Sequence, residues 1–177
     1  MGGLGGMSAM KIFLIGFMGS GKTYWGRQLS QKLNLPFFDL DELVVNAENK
    51  TINEIFVQQG EEYFRVKEKE ILNNITESHT TFVMSCGGGA PCYFNNIEYM
   101  NQVGTTVWLN TSVDTLFKRL LNEKEQRPLL KDLSDDQLKM YIKKKFSDRK
   151  IYYEQADVIV EEENITLDQF IERVFHA

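Results

Sequence analysis

Residues 16–23 read Gly-Phe-Met-Gly-Ser-Gly-Lys-Thr and carry every fixed position of the phosphate-binding P-loop pattern. The flanks suit it. Lys11-Ile-Phe-Leu-Ile15 is an apolar run of the kind a buried strand has, and Tyr24 to Leu33 places Trp25, Leu29 and Leu33 at helical spacing. Strand, Gly-rich turn and helix in that order commit the chain to opening with a β-loop-α unit. The glycines allow positive φ and close backbone approach, so N–H groups across Gly19, Ser20 and Gly21 can surround a β-phosphate at the helix N-terminus. Lys22 would reach the β- and γ-phosphates, and Thr23 would offer its hydroxyl to Mg²⁺. A Gly-rich turn that binds nothing has no structural need for the Lys-Thr pair.

The 177 residues are most simply one domain with a substantial core. A net charge of −5 with no long basic run argues against a nucleic-acid surface. No apolar segment approaches the roughly 20 residues of a membrane span. Met1 to Ala9 lacks a charged start and an apolar stretch, so it reads as a flexible leader rather than a secretory signal, with the fold beginning near Met10. Cys86 and Cys92, spaced C-x5-C, fit no usual zinc pattern, and Cys86 reads as a buried thiol in a reducing cytosol. With only His79 and His176 present, histidine acid–base chemistry and a histidine metal site are not expected.

Along the chain, Leu35 to Asp39 reads as a second strand ending in acid, and Thr51-Ile-Asn-Glu54 as a capping box opening a helix. Gly60 is placed to end it before a further helix over about 61–75. Thr80 to Ser85 makes a third strand that runs into Gly87-Gly88-Gly89. Asn95 to Gln102 reads as helix, Thr105 to Leu109 as a fourth strand, and about 113–122 as helix again. A charged stretch leads to Ser134-Asp-Asp-Gln137, which caps a helix reaching about Tyr153. Asp157 to Val160 is a fifth strand, and Thr166-Leu-Asp-Gln169 caps the last helix. Strands alternating with helices predict a three-layer α/β/α domain around a five-stranded parallel sheet.

A P-loop specifies nucleotide and nothing finer. The only Asn-Lys, Asn49-Lys50-Thr51-Ile52, lacks the Asp of a guanine-reading motif, and neither Phe82–Ser85 nor Thr106–Leu109 ends in the acid expected of motor-type ATPases. The strand that does end in acid is the second, at Asp39-Leu-Asp41. If the strand continues, period-two spacing projects both carboxylates from one side, one for metal and attacking hydroxyl, the other for a substrate hydroxyl. Arg65 in a helix of paired charges, Gly87–Gly89 with bare N–H groups, Arg127 in the charged segment and Arg149 late in a basic helix together describe a small, anionic, hydroxylated acceptor.

At these residues the chain resembles the shikimate kinase family. The resemblance runs from Lys11 to Phe175 through the P-loop, Asp39-Leu-Asp41, Phe64-Arg65, Ser85-Cys-Gly-Gly-Gly-Ala90, Arg127-Pro-Leu-Leu130 and Arg149 ahead of Tyr153. It implies a cytoplasmic, monomeric enzyme of the nucleoside-monophosphate-kinase fold. Such an enzyme moves the γ-phosphate of ATP, with Mg²⁺, to the 3-hydroxyl of shikimate on the chorismate route to aromatic amino acids. The substrate region would span about 40–75 and a lid about 122–136. Carried over, Asp41 would hold ring hydroxyls, Arg65 and Arg149 the carboxylate, and Gly87, Gly88 and Gly89 the ring. Asp39 would support Mg²⁺ and orient or deprotonate the hydroxyl. Lys22 and Arg127 would neutralise the transferred group, and Arg119 would stack on adenine. Thr23 stands where serine is more frequent, and Arg149-Lys-Ile-Tyr-Tyr153 lacks the usual proline, which leaves the register open by one residue. The rivals are a kinase of the same fold acting on gluconate or a nucleoside monophosphate, and a nucleotide-binding module without catalysis.

Overall fold

β1 (Lys11–Ile15) shows how the sheet is built: Phe13 and Ile15 enter one apolar cluster while Ile12 and Leu14 enter another. Side chains alternate across a strand, so a strand buried on both faces must be apolar at every position. The computed structural model describes residues 10–176; the leader expected over 1–9 lies outside the described residues. β1 is central. It pairs in parallel with β3 (Phe82–Ser85) on one side and with β4 (Thr105–Asn110) on the other. β2 (Phe37–Asp39) joins β3 and β5 (Val158–Glu161) joins β4, which gives the order β2-β3-β1-β4-β5 with every pair parallel. Because the order reverses at β1, the carboxyl ends of β1, β3 and β2 open onto one crevice.

Helices cover both faces, as parallel sheets require. α1 (Lys22–Leu33) and α8 (Leu167–Phe175) bury Leu29 and Phe170 on the Ile12 side. α4 (Glu61–Ser78) and α5 (Asn96–Val103) bury Leu72 and Met100 on the Phe13 side. α7 (Asp135–Tyr153) contributes Tyr153 to that side too, and with α6 (Val113–Glu123) it encloses Phe17, Leu116, Leu120, Leu138 and Ile142. α2 (Leu40–Glu48) and α3 (Ile52–Gln59) form a smaller cluster with α4 through Val44, Ile55 and Phe64. The Ser134–Gln137 and Thr166–Gln169 capping boxes are complete, and Thr51 accepts from the Glu54 N–H. Among the described residues no helix is long and apolar enough to cross a membrane.

The structure corrects several boundaries. β2 starts at Phe37, not Leu35, because Leu35 is tied back to α1: its N–H donates to Ser30 O and its carbonyl accepts from Ser30 Oγ. α4 runs on to Ser78, and β3 begins only at Phe82. The larger correction lies at Asp39-Leu-Asp41. The strand does not continue; Asp39 is the N-cap of α2 and accepts from the Glu42 N–H, so Asp41 stands in the first helical turn. An Asp that bonds the backbone three residues on ends a strand and starts a helix. The two carboxylates are neighbours for that reason and not by strand periodicity.

Candidate active site

The chain leaves β1 at Ile15 and turns through Gly16 (φ 147°), Gly19 (φ 84°) and Gly21 (φ 89°) into α1. Gly16 is needed on two counts: its φ is positive, and a Cβ there would sit 2.9 Å from both Leu109 O and Ser20 Oγ. Ser20 is fully buried and donates its N–H to Phe17 O at 3.1 Å. Lys22 folds back over the loop and donates from Nζ to Gly16 O at 2.6 Å and to Phe17 O at 3.1 Å. Burial pulls its pKa from 10.5 down to about 8; Asp41 opposes the shift, while Arg149 and Arg127 add to it. Thr23 Oγ1 donates to Asp39 Oδ2 at 3.4 Å.

Opposite the loop, the Gly87–Gly89 run leaves β3 and meets three charged side chains from three helices. A Cβ on Gly87 would lie 2.7 Å from Asp41 Oδ1, one on Gly88 would lie 2.9 Å from Arg149 Nη1, and one on Gly89 would overlap the Arg65 guanidinium. The triple glycine is therefore what lets Asp41, Arg149 and Arg65 close on one stretch of backbone. Tyr153 donates its hydroxyl to Gly88 O at 2.6 Å and is fully buried, whereas Tyr152 is only half-buried. That resolves the register: Arg149 sits one helical turn before the anchored tyrosine, over the Phe17 ring at 5.6 Å. Asp41 is pushed above the usual carboxylate range by burial first and by the charge of Asp39 second, against the pull of Lys22 and Arg65.

Arg65 is 7% exposed and clamped within its own helix. Nη1 donates to Glu68 Oε1 at 3.1 Å, and Nη2 donates to Glu61 Oε1 at 3.4 Å. Its guanidinium lies over Tyr93 at 4.4 Å, and the Tyr93 hydroxyl donates to Glu61 at 2.9 Å. Glu68 is wholly buried, which pushes it up to about 7 although Arg65 pulls the other way. The sequence reading missed Glu61, Glu68 and Tyr93. The two glutamates had a signal, being four before and three after Arg65 on one helix; Tyr93 had none.

The other end of the cleft is walled by Arg119, Glu162 and Trp25. Arg119 Nη1 donates to Gly19 O at 2.9 Å and to Glu162 Oε1 at 2.5 Å. Arg127 donates from Nη2 to Glu123 at 2.7 Å and from Nε at 2.9 Å, and both residues reach the cleft. The cleft, about 540 Å³, runs from Glu162 and Trp25, past Lys22, Thr23 and Asp39, to Asp41, Gly87 and Gly88. Arg65, Arg149 and Gly89 adjoin its acceptor end, Arg149 beside Gly88 and Arg65 beside Gly89. Of the expected residues, Gly19, Gly21, Arg119 and Arg127 line it as well, while Ser20 is beneath the loop. Within the 122–136 segment expected as a lid, Leu130 is fully buried against Phe17, Leu116, Leu120, Leu138 and Ile142, and Lys124 Nζ donates to Leu133 O.

A family model described as shikimate kinase matches residues 18–177. The chain belongs to the shikimate kinase family. A shikimate kinase of Azobacteroides pseudotrichonymphae is 42% identical over 164 residues, covering 93% of this chain and 96% of the relative. One from Bacteroides fragilis is 45% identical over 150 residues, covering 85% and 83%. The crystal structure of shikimate kinase from Bacteroides thetaiotaomicron superposes with a TM-score of 0.85 at 40% identity, over 94% of this chain and 95% of that one. Shikimate kinase from Acinetobacter baumannii, solved in complex with shikimate, superposes with a TM-score of 0.83 at 29% identity, over 97% and 94%. Membership in the shikimate kinase family makes the chain an ATP-dependent kinase acting on shikimate, as the motifs implied. Kinases acting on gluconate or nucleoside monophosphates are thereby set aside.

Proposed function

We propose that the chain transfers the γ-phosphate of ATP to the 3-hydroxyl of shikimate on the chorismate route, with its roles divided along the cleft. The observation that carries this is the convergence of Lys22, the Asp39–Asp41 pair and the glycine run with Arg149 and Arg65 at the carboxyl ends of three adjacent strands. Shikimate would lie against Gly87–Gly89, its carboxylate drawn by Arg65 and Arg149 and its ring hydroxyls held by Asp41. The triphosphate would lie along Gly19, Ser20 and Gly21, with Lys22 exchanging its carbonyl partners for phosphate oxygens and Arg127 meeting the transferred group. The base would then fall at the far end, where Arg119 stands. In the transfer, the acceptor oxygen bonds to the γ-phosphorus as the bond to the β–γ bridging oxygen breaks, and ADP leaves.

Asp39 already accepts from Thr23 and the Glu42 N–H. Asp41 faces the glycine run where the acceptor would lie, and burial raises it above the usual carboxylate range, so we assign it the hydroxyl proton; Asp39 would orient the hydroxyl and support the metal. Thr23 and Asp39 fit Mg²⁺: a hydroxyl and a carboxylate side by side are hard oxygen donors, and this ion takes the rest of its shell from phosphates and water. Bound there, it would neutralise charge on the phosphates. The reading extends to a monomer, and to a reducing compartment such as the cytoplasm, the latter supported by two free thiols, one buried. Purified protein given ATP, Mg²⁺ and shikimate should release ADP and form shikimate 3-phosphate by ³¹P NMR. Formation of ADP without that product would overturn the reading.

A further inference from the structure

The phosphate chemistry does not require a carboxylate beside the P-loop, yet one is built into the nucleotide end of the cleft. Glu162 follows β5 directly and is 6% exposed. Three elements each send it a donor. Trp25 Nε1, from the first turn of α1, donates to Oε2 at 3.3 Å. Thr111 Oγ1, just past β4, donates to Oε1 at 2.9 Å, and Arg119 Nη1, from α6, donates to Oε1 at 2.5 Å. The same Nη1 reaches Gly19 O at 2.9 Å, while the N–H of the same peptide unit, that of Ser20, donates to Phe17 O at 3.1 Å. The Gly19–Ser20 peptide is thus pinned on both sides, at a glycine with a φ of 84°.

A buried anion is tolerated only when it is fully paired, and this one stands where its sign opposes a polyphosphate. Its pairing is what gives it a use. We propose that Glu162 is a positioning residue for the nucleotide: by fixing Arg119 against the Gly19 carbonyl, it holds the P-loop in its phosphate-accepting shape before the nucleotide arrives. Glycine-rich backbone that is ordered in advance loses less entropy on binding, and the gain appears as affinity. Only one edge of the Arg119 guanidinium is used, so its face stays available to a base. This inference rests on the reading that the P-loop holds the phosphates of ATP.

The test uses Glu162→Gln, Arg119→Met and the double variant, with ADP binding by calorimetry and steady-state kinetics in both substrates. Each single variant should weaken ADP binding and raise KM for ATP about tenfold, since each removes a charge-assisted hydrogen bond. At saturating ATP, kcat and the KM for shikimate of Glu162→Gln should stay within about threefold, because the contact acts before chemistry. The double variant should be no worse than Arg119→Met alone, as two residues in one chain of contacts are not additive. ADP binding to Glu162→Gln that is unchanged or tighter would overturn the proposal, showing that repulsion outweighs positioning. Should Glu162→Gln fail to fold, Glu162→Asp, which keeps the charge but shortens its reach to Arg119, decides instead, and unchanged ADP affinity there sinks it. A wild-type protein that does not bind ADP would instead remove the P-loop reading beneath it.

Discussion

Lys22 shows how one residue can be ready for a ligand. Two loop carbonyls hold its ammonium, and burial brings its pKa to about 8. Carbonyls are weaker partners than phosphate, so the cation is kept where an anion will claim it. Lys22→Ala should lower kcat by at least about 100-fold, the usual cost of removing a charge-stabilising donor, measured by coupled ADP release. The pH dependence has a definite sign. As pH rises through about 8 the free enzyme loses this charge, so kcat/KM for ATP should fall with one ionisation. Bound phosphates raise the same pKa, so kcat should hold to higher pH than kcat/KM. A kcat/KM profile flat to pH values well above Lys22's own would contradict the assignment.

At the acceptor end, Arg65 owes its position to Glu68 and Glu61. Arg65→Ala should weaken shikimate binding far more than ADP binding in calorimetry, because it removes a charge-assisted pair with the carboxylate and leaves Glu68 buried alone. Arg65→Lys should restore only part, since an ammonium cannot present a fork to Glu68 and substrate together. Equal loss for both ligands would point to a structural role.

Among the elements, the segment between α6 and α7 behaves as two parts. Leu130 plugs it into the cluster around Phe17, while Arg127 stands at the other side of the turn, held by Glu123 at 2.7 Å. Both charges are more than a third exposed, so that pair is weak and easily exchanged for phosphate. Arg127→Ala should therefore leave ADP affinity within a few-fold and act chiefly on kcat, with a larger share of ATP lost to water. Hydrogen exchange across 122–136 should slow only when nucleotide and shikimate are both present, except near Leu130, where the anchor should protect the apo protein. Full protection of the segment in the apo protein would remove its motion from the mechanism.

At the scale of the whole molecule, the P-loop and the Asp41–Gly87 end share one cleft, so on the proposed reading a ligand at one end changes the surroundings of a ligand at the other. Each ligand alone, at about 100 times its Kd, should stabilise the fold by about 2.7 kcal/mol. ADP and shikimate together should exceed the sum of the two, read from denaturant midpoints, and Arg127→Ala should abolish the excess. Simple additivity in the wild type would mean that the two halves bind independently.

The sequence by itself determined what is local. A P-loop is eight consecutive residues, each strand is a run of apolar residues, and the caps at Ser134 and Thr166 lie within one helical turn, so no distant contact was needed to read them. The site's motifs were legible for the same reason, because each is a short string. Which motifs meet was decided only in the folded chain. The order β2-β3-β1-β4-β5 sets Gly88 against Tyr153, 65 residues away, and fixes the register that two adjacent tyrosines had left open. Asp39 could not be told from a continuing strand until its carboxylate was seen to accept the Glu42 N–H. Glu162 was silent altogether: its donors come from positions 43 to 137 residues away, and a buried charge is identified by its partners, which only the fold supplies.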